Sequence, residues 1–454
     1  MKTLFIVITQ GIPARNVLRT AVFKVIREHP NLRIVIFLPD RIPDEYRREF
    51  NYGNVVFEPI KKIIPGWFRR NVFTQLMINM VDTETAYIHA RYGNGRRKRS
   101  LKNFLIWILC GRIFSRFGSV KKAFRWMEYT FYRDRYYKHF FDKYNPDLVF
   151  STSILGNVDM MMLKEAKRRG VKTVAMPKSW DTFDKYLFRV APDWLIVYNE
   201  SLKTLASKSQ LFPKERIRVL GFPQFDIYSE RIFAERGSFL KSLGLDPSRK
   251  VIFFGSGGFF GPNDEDIADI LAKMVNSGET AFPCSLIIRS HFADGRANRF
   301  SRFAKEPNVY VDDKHRRSDI FTELGDPTRE DMIHLANLLN VSDVTVNPAS
   351  TLSLDAITLG KPVICVAFDG YKKLKKRDSI ENNLFKTSYY TRVVATGGVR
   401  VAKSMEEFKD FINLYLRHPE EDAEAREIMR KVICNNPDGQ AALRIGEFIV
   451  GLLD

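Results

Sequence analysis

Hydroxyls, a carboxylate and a helix stop gather in one short stretch, Asn347-Pro348-Ala349-Ser350-Thr351-Leu352-Ser353-Leu354-Asp355 through Gly360-Lys361-Pro362. Apolar runs flank it, Val344–Val346 before and Pro362–Val366 after, so it reads as strand, turn, helix, strand. Ser350 or Thr351 can cap the helix, and Gly360 before Lys361-Pro362 ends it. A turn of this kind, with Pro348, Ser350 and Thr351 on its rim, aims free N–H groups and hydroxyls at one point. That is a setting for phosphate or diphosphate. Asp355, one turn into the helix, is placed to accept hydrogen bonds from ribose hydroxyls. An ordinary strand–helix junction carries the same pattern, so the other strand ends matter. In open parallel sheets ligands sit beyond the carboxyl ends of the strands. The run Val251–Phe254 ends in Gly255-Ser256-Gly257-Gly258, a turn suited to close backbone approach, and Ser285–Arg289 ends in Ser290-His291. Arg289 and His291 bring charge and donors to the rim where Ser350 and Thr351 would hold phosphate. Together these strand ends predict a nucleotide mono- or diphosphate site.

A second set of strand ends lies in the first half. Thr3–Thr9 runs into the turn Gln10-Gly11-Ile12-Pro13, with Arg15 and Asn16 just beyond, and Lys172–Met176 runs into Lys178-Ser179-Trp180-Asp181. Gln10, Arg15, Lys178 and Trp180 are candidate substrate contacts at these rims. A general base needs a carboxylate or histidine placed to take a proton. Asp40, Asp159, Asp181 and Glu200 are the candidates at these rims; Asp181, flanked by Lys178 and Trp180, is preferred, while Glu200 resembles a helix start.

The elements that must position these groups alternate. Apolar, strand-length runs recur at Thr3–Thr9, Leu32–Leu38, Asn54–Phe57, Leu148–Thr152, Lys172–Met176 and Trp194–Tyr198. In the second half they recur at Val251–Phe254, Ser285–Arg289, Val309–Val311, Val344–Val346, Val363–Val366 and Val393–Ala395, with helical patterns between, one over Ala14–Glu28. Strands separated by helices imply parallel, doubly wound sheets. With 454 residues the chain divides naturally in two. The expected organisation is an α/β unit over 1–220 with a helical insertion over about 68–144, broken at Gly93-Asn94-Gly95. A second unit spans 221–437, and a last helix runs over 438–454.

The net charge of +19 is concentrated: residues 91–143 hold fifteen Lys/Arg against three acids, a surplus of twelve, interleaved with aromatic residues such as Trp107, Phe117, Trp126 and Phe131. An anionic partner is expected there. Basic residues with aromatics suit nucleic acid, but no nucleic-acid-binding motif accompanies them, so that partner is not expected. A solvated helical pair with its aromatics inward is one alternative. The favoured reading is docking on an anionic membrane surface. The apolar run at Leu4–Ile8 is only strand-length and no cleavage site follows, so no signal peptide is expected, and Phe104–Cys110 is too short to span a bilayer. Cys110, Cys284, Cys365 and Cys434 are scattered, which predicts reduced core thiols and no structural zinc.

Four motifs carry a resemblance over about residues 145–454. They are Asn347–Val366, the Arg289–His291 strand end, Gly221-Phe222-Pro223 at the junction, and Asp438-Gly439-Gln440-Ala441-Ala442-Leu443-Arg444-Ile445. They resemble the donor half of GT-B glycosyltransferases, two facing Rossmann-like domains with a cleft between them. Within that superfamily they are most similar to the branch of CDP-glycerol glycerophosphotransferases, capsule (Kdo or sialyl) transferases and UDP-GlcNAc 2-epimerases. The resemblance implies that His291 and the Ser350-Thr351 pair contact donor phosphate, that Asp355 meets the ribose, and that Asp438 closes near the cleft before the last helix packs back toward it. It also implies that the first half binds the acceptor, through Gln10, Arg15, Lys178 and Trp180, with Asp181 taking its proton. The family's His-Pro pair reads His291-Phe292 here. The resulting expectation is a metal-independent glycosyltransferase of surface polysaccharide assembly. A nucleotide-sugar is its co-substrate, a glycan or lipid-linked glycan its acceptor, and no bound cofactor is needed. It would work in the cytoplasm, peripherally at the inner face of the plasma membrane. Polyol-phosphate transfer, nucleotide-sugar 2-epimerisation and a non-enzymatic membrane or nucleic-acid module are the alternatives.

Overall fold

The computed structural model describes all residues except 94–99, 133, 134, 231, 293, 295, 297, 322 and 324. Asn94 and Gly95 of the expected turn, and Arg96–Arg99 and Arg133 of the basic stretch, therefore lie outside the described residues.

Two parallel sheets organise the chain. The first contains β1 (Lys2–Val7), β2 (Leu32–Pro39), β3 (Val55–Ile60), β4 (Leu148–Ser151), β5 (Lys172–Ala175), β6 (Trp194–Val197) and β7 (Ile217–Val219), in the order β3-β2-β1-β4-β5-β6-β7. The second contains β8 (Lys250–Gly255), β9 (Cys284–Arg289), β10 (Val309–Asp312), β11 (Val344–Asn347), β12 (Val363–Val366) and β13 (Arg400–Ala402), in the order β10-β9-β8-β11-β12-β13. The central strands are continuous apolar runs because both faces are covered: Leu4 to Val7 and Val251 to Phe254 are all fully buried. Strand order reverses between β1 and β4 and between β8 and β11. Adjacent loops leave such points in opposite directions and open a crevice.

Tertiary contacts override local pattern at two places. The helix expected over Ala14–Glu28 is two helices, Gly11–Leu18 and Ala21–Glu28. Between them Thr20 bonds back to Asn16 O (2.8 Å) and its hydroxyl accepts from Val22 N, while Arg19 is drawn to Glu49 and Asp326. The strand expected at Val393–Ala395 is the end of a helix, Ser388–Val394, and the edge strand is β13. Buried Tyr390 holds that helix, its hydroxyl bonded to Ser353 Oγ (2.9 Å) and Cys365 Sγ (3.0 Å), which outweighs the β-branched preference of Val393-Val394.

Between β3 and β4 the described residues form helices only, including Thr74–Ile78, Glu84–Tyr92, Leu101–Trp107, Gly118–Phe131 and Lys138–Tyr144. They share a small core of Phe73, Met77, Met80, Val81, Cys110 and Leu187. The last helix, Ala441–Gly451, packs on Ala21–Glu28 of the first unit. All four cysteines are buried and unpaired.

Candidate active site

A cavity of about 710 Å³ lies where the carboxyl ends of the two sheets face each other. Both crevices feed it: Gln10 and Ser153–Asn157 from the β1/β4 side, Gly255, Ser256, Ser350 and Thr351 from the β8/β11 side.

The second unit supplies the hydroxyls and cations. Ser350 Oγ accepts from Leu352 N (3.2 Å), so this hydroxyl orders the first turn of Leu352–Thr358. Thr351 Oγ1 accepts from the Trp180 indole N–H (3.2 Å), a bond that crosses the cleft. Arg289 is held by buried Asp312, and its other terminal nitrogen meets His315 Nδ1 at 3.2 Å. Burial alone would raise Asp312, but the bond from His334 and the Arg289 charge hold it below the ordinary carboxylate range. His315 is pushed down to about 4, by burial first and Arg289 second, so it is neutral at neutral pH. His291 lines the cavity with its ring stacked on Phe292 (4.4 Å between centroids). Gly258 makes that position available: its φ is +58°, and a Cβ there would stand 2.7 Å from His291 Cβ.

Asp355 sits one turn into Leu352–Thr358, buried, and accepts from the Tyr228 hydroxyl (2.7 Å). Burial raises its carboxyl to about 6, against the opposing pull of Tyr228 and Arg15. Arg15, from the first unit, donates to Gln224 and Asn16 and faces this carboxylate. Burial alone would raise Asp181, but the Lys185 ammonium bonded to it draws it below the ordinary range. Lys178 pairs with Glu323 of the second unit at 2.5 Å.

No protein-family model matches the sequence, and no curated protein matches it. Solved structures do. The chain is similar to the UDP-GlcNAc 2-epimerase of Neisseria meningitidis bound to UDP-GlcNAc, at 13% identity and TM-score 0.53, over 99% of this chain and 100% of that one. It is similar to the wall teichoic acid polymerase TagF, at 12% identity and TM-score 0.51, over 100% and 89%. A glycosyltransferase from Rickettsia africae matches at 11% identity and TM-score 0.53, over 100% and 99%. The chain has the GT-B fold.

Within this GT-B cleft most of the expected residues converge. Gln10, Arg15, Lys178, Trp180 and Asp181 line it from the first unit, and Gly255, Ser256, Arg289, His291, Ser350, Thr351 and Asp355 from the second. Three do not. Gly257 and Pro348 pack on each other: a Cβ on Gly257 would lie 2.7 Å from Pro348 Cγ. Asp438 is bonded to Arg444 (2.6 Å) and to Gln440 N, at the start of a helix none of whose residues line the cavity. Ser256 also has a fixed duty, since its hydroxyl donates to buried Asp264 (2.7 Å) and orders the glycine turn. Of the rival carboxylates, Asp40 and Glu200 are exposed and off the cavity. Asp159 is buried beneath it, accepting from Ser151 Oγ (2.9 Å), Ser153 N and Thr9 Oγ1.

Sequence reasoning missed His315, Tyr228, Lys185 and Arg189, all at or against the site. Applying the strand-end rule to β10 finds Asp313-Lys314-His315 at once. Nothing local marks Tyr228, whose partner is 127 positions away.

Proposed function

We propose that the protein is a GT-B glycosyltransferase that moves a sugar from a nucleotide-activated donor to a glycan or lipid-linked acceptor in surface polysaccharide assembly. The observation that carries the reading is the convergence, on one cavity, of Arg289, His291, Ser350, Thr351 and Asp355 with Gln10, Arg15, Lys178, Trp180 and Asp181 from the opposite sheet.

In this reading Ser350 and Thr351 hold the donor phosphates. Arg289 and His291 meet the charge that develops on the leaving phosphate, a task metal ions perform in other transferases. Asp355 takes the ribose hydroxyls, with Tyr228 fixing its orientation. Asp181 receives the acceptor proton, and Lys185 keeps it ionised and aimed. The nucleotide-sugar is a co-substrate, and no resident cofactor or metal takes part. Replacing His291 or Ser350 by alanine is expected to lower turnover by about 10²-fold with little change in melting temperature. Unchanged rates in both variants would remove the donor assignment.

Four carboxylates line the cavity, but only Asp181 belongs to the first unit. Epimerisation needs carboxylates converging on the sugar ring from both sides, so the count favours transfer. Incubation with UDP-GlcNAc alone separates the two, because an epimerase needs no acceptor. Polyol-phosphate transfer would use the same donor side. A thermal-shift screen across CMP, CDP, UDP, GDP and TDP compounds, CDP-glycerol included, identifies the donor class.

A further inference from the structure

In the helical block between β3 and β4, one helix buries charge and the block exposes many large apolar side chains. Helix Gly118–Phe131 directs three of its four charged residues inward, all but exposed Lys122. Lys121 Nζ donates to Ser209 O (2.9 Å), and Arg125 donates to Gln210 O (2.7 Å) and Phe188 O (3.1 Å). Glu128 is fully buried and accepts from Lys164 (3.0 Å) and Arg69. The other face of the same helix carries Trp126, 60% exposed, and Tyr129, with Phe131, 65% exposed, at its end. A helix facing water does the reverse. Helix Leu101–Trp107 and the segment after it add to the exposed apolar surface. Trp107 and Cys110 point into the block, while Leu101, Leu105, Ile108, Leu109 and Ile113 are exposed. Of the 21 exposed large apolar side chains among the described residues, 13 lie between Ile64 and Tyr136. The apolar surface is therefore a property of this block.

Charge identifies what covers it. Between Ser100 and Tyr132 the sole acid is Glu128, which is buried, whereas Lys102, Arg112, Arg116 and Lys122 are exposed among the apolar groups; Arg112 also bridges to Asp82 at 2.9 Å. No helix among the described residues is long and apolar enough to cross a membrane. Aliphatic side chains bordered by Trp, Tyr, Lys and Arg, with no exposed carboxylate between Ser100 and Tyr132 and exposed Asp82 neutralised by Arg112, match the interface of an anionic bilayer, where aromatic rings sit at the headgroups and cations meet lipid phosphate.

We propose that this face, built on Leu101, Leu105, Leu109, Phe117, Trp126 and Phe131, seats the protein on an anionic bilayer. The block it belongs to also borders the cavity: Thr74 and Ile78 line the acceptor side, and Phe73 and Met77 beside them share the block's core with Cys110. An acceptor held at the membrane would thus reach the cavity past Thr74–Ile78. That last point rests on the transfer reading; the seating does not.

The test is co-sedimentation of the full chain with phosphatidylglycerol-containing vesicles, without nucleotide or acceptor. Binding is expected, with at least about tenfold loss in the Leu105→Glu/Leu109→Glu variant and weaker binding at high salt or to pure phosphatidylcholine. Melting temperature and nucleotide-induced thermal shift should match wild type in that variant, which keeps the donor side out of the result. Failure to sediment, or equal sedimentation of the variant, overturns the proposal. So does a dimer by light scattering that the variant dissociates, which would assign the face to a second copy. If vesicles bind but no nucleotide does, the transfer reading fails and the seating stands.

Discussion

Asp355, the proposed ribose contact, also carries a pH dependence. Its carboxyl stands at about 6 against an ordinary 3.8, because burial penalises the anion more than Tyr228 and Arg15 favour it. Between those two pH values the folded protein holds a proton that the unfolded chain releases. This group's contribution to stability therefore falls as pH rises from about 4 to 6, by on the order of 2 kcal/mol. Urea midpoints across that window should show a flatter profile for Asp355→Asn than for wild type. Asp264, also raised by burial, to about 6, and Asp159, to about 7, act in the same direction and leave the variant some residual slope. Superimposable profiles would mean that Asp355 is not held up by burial. The same ionisation bears on the donor: nucleotide affinity by calorimetry is expected to rise through pH 6 in wild type and to lose that rise in Asp355→Asn.

Among the elements, the short helices after β1 and the loop before Arg329–Val341 are tied by buried charge. Arg19 Nη1 donates to Asp326 Oδ1 (2.6 Å), Tyr46 adds its hydroxyl (2.8 Å), and both Arg19 and Asp326 are almost inaccessible. Arg316 Nη2 also meets Asp326 (3.0 Å), so truncating Arg19 removes one of two cations from this buried carboxylate. Arg19→Ala is therefore expected to cost about 1.5–3 kcal/mol in urea unfolding, and Tyr46→Phe, which removes one neutral hydrogen bond, at most about 1 kcal/mol. Equal small losses would show that water reaches Asp326 and that the pair is weaker than its burial implies. The break between Gly11–Leu18 and Ala21–Glu28 has the same origin, since Arg19 leaves the helical path to reach these acids.

At the scale of the molecule, the two units are held face to face by contacts on more than one side of the cavity. Asp326 meets Arg19 on one side, and Asp184 takes both terminal nitrogens of Arg392 (3.0 and 2.7 Å) on another. Nearby, Thr85 Oγ1 accepts from Ser388 N (2.9 Å), which joins the helical block to the second unit. The backbones approach closely at Gly11, where a Cβ would lie 1.7 Å from Gly325 O, backbone against backbone. Gly11→Ala should force the units apart. The radius of gyration by small-angle scattering is expected to rise, or the melting temperature to drop, together with a loss of nucleotide binding. A variant unchanged in all three would mean that this approach does not hold the cleft.

Alternation of apolar runs with helical segments is written locally, so the two parallel sheets could be read from the chain alone. So could Ser350, Thr351, Asp355 and His291 as cavity residues, because the end of a strand in a parallel sheet already implies a crevice. Partners and desolvation lay beyond it. That Asp438 serves a helix start, that Arg289 is shared with Asp312, that Tyr228 orients Asp355, and that one helix of the basic block turns most of its charges inward all depend on groups distant in sequence. A hydrogen bond or a buried charge is decided by what the folded chain brings within about 3 Å, and no local pattern encodes that.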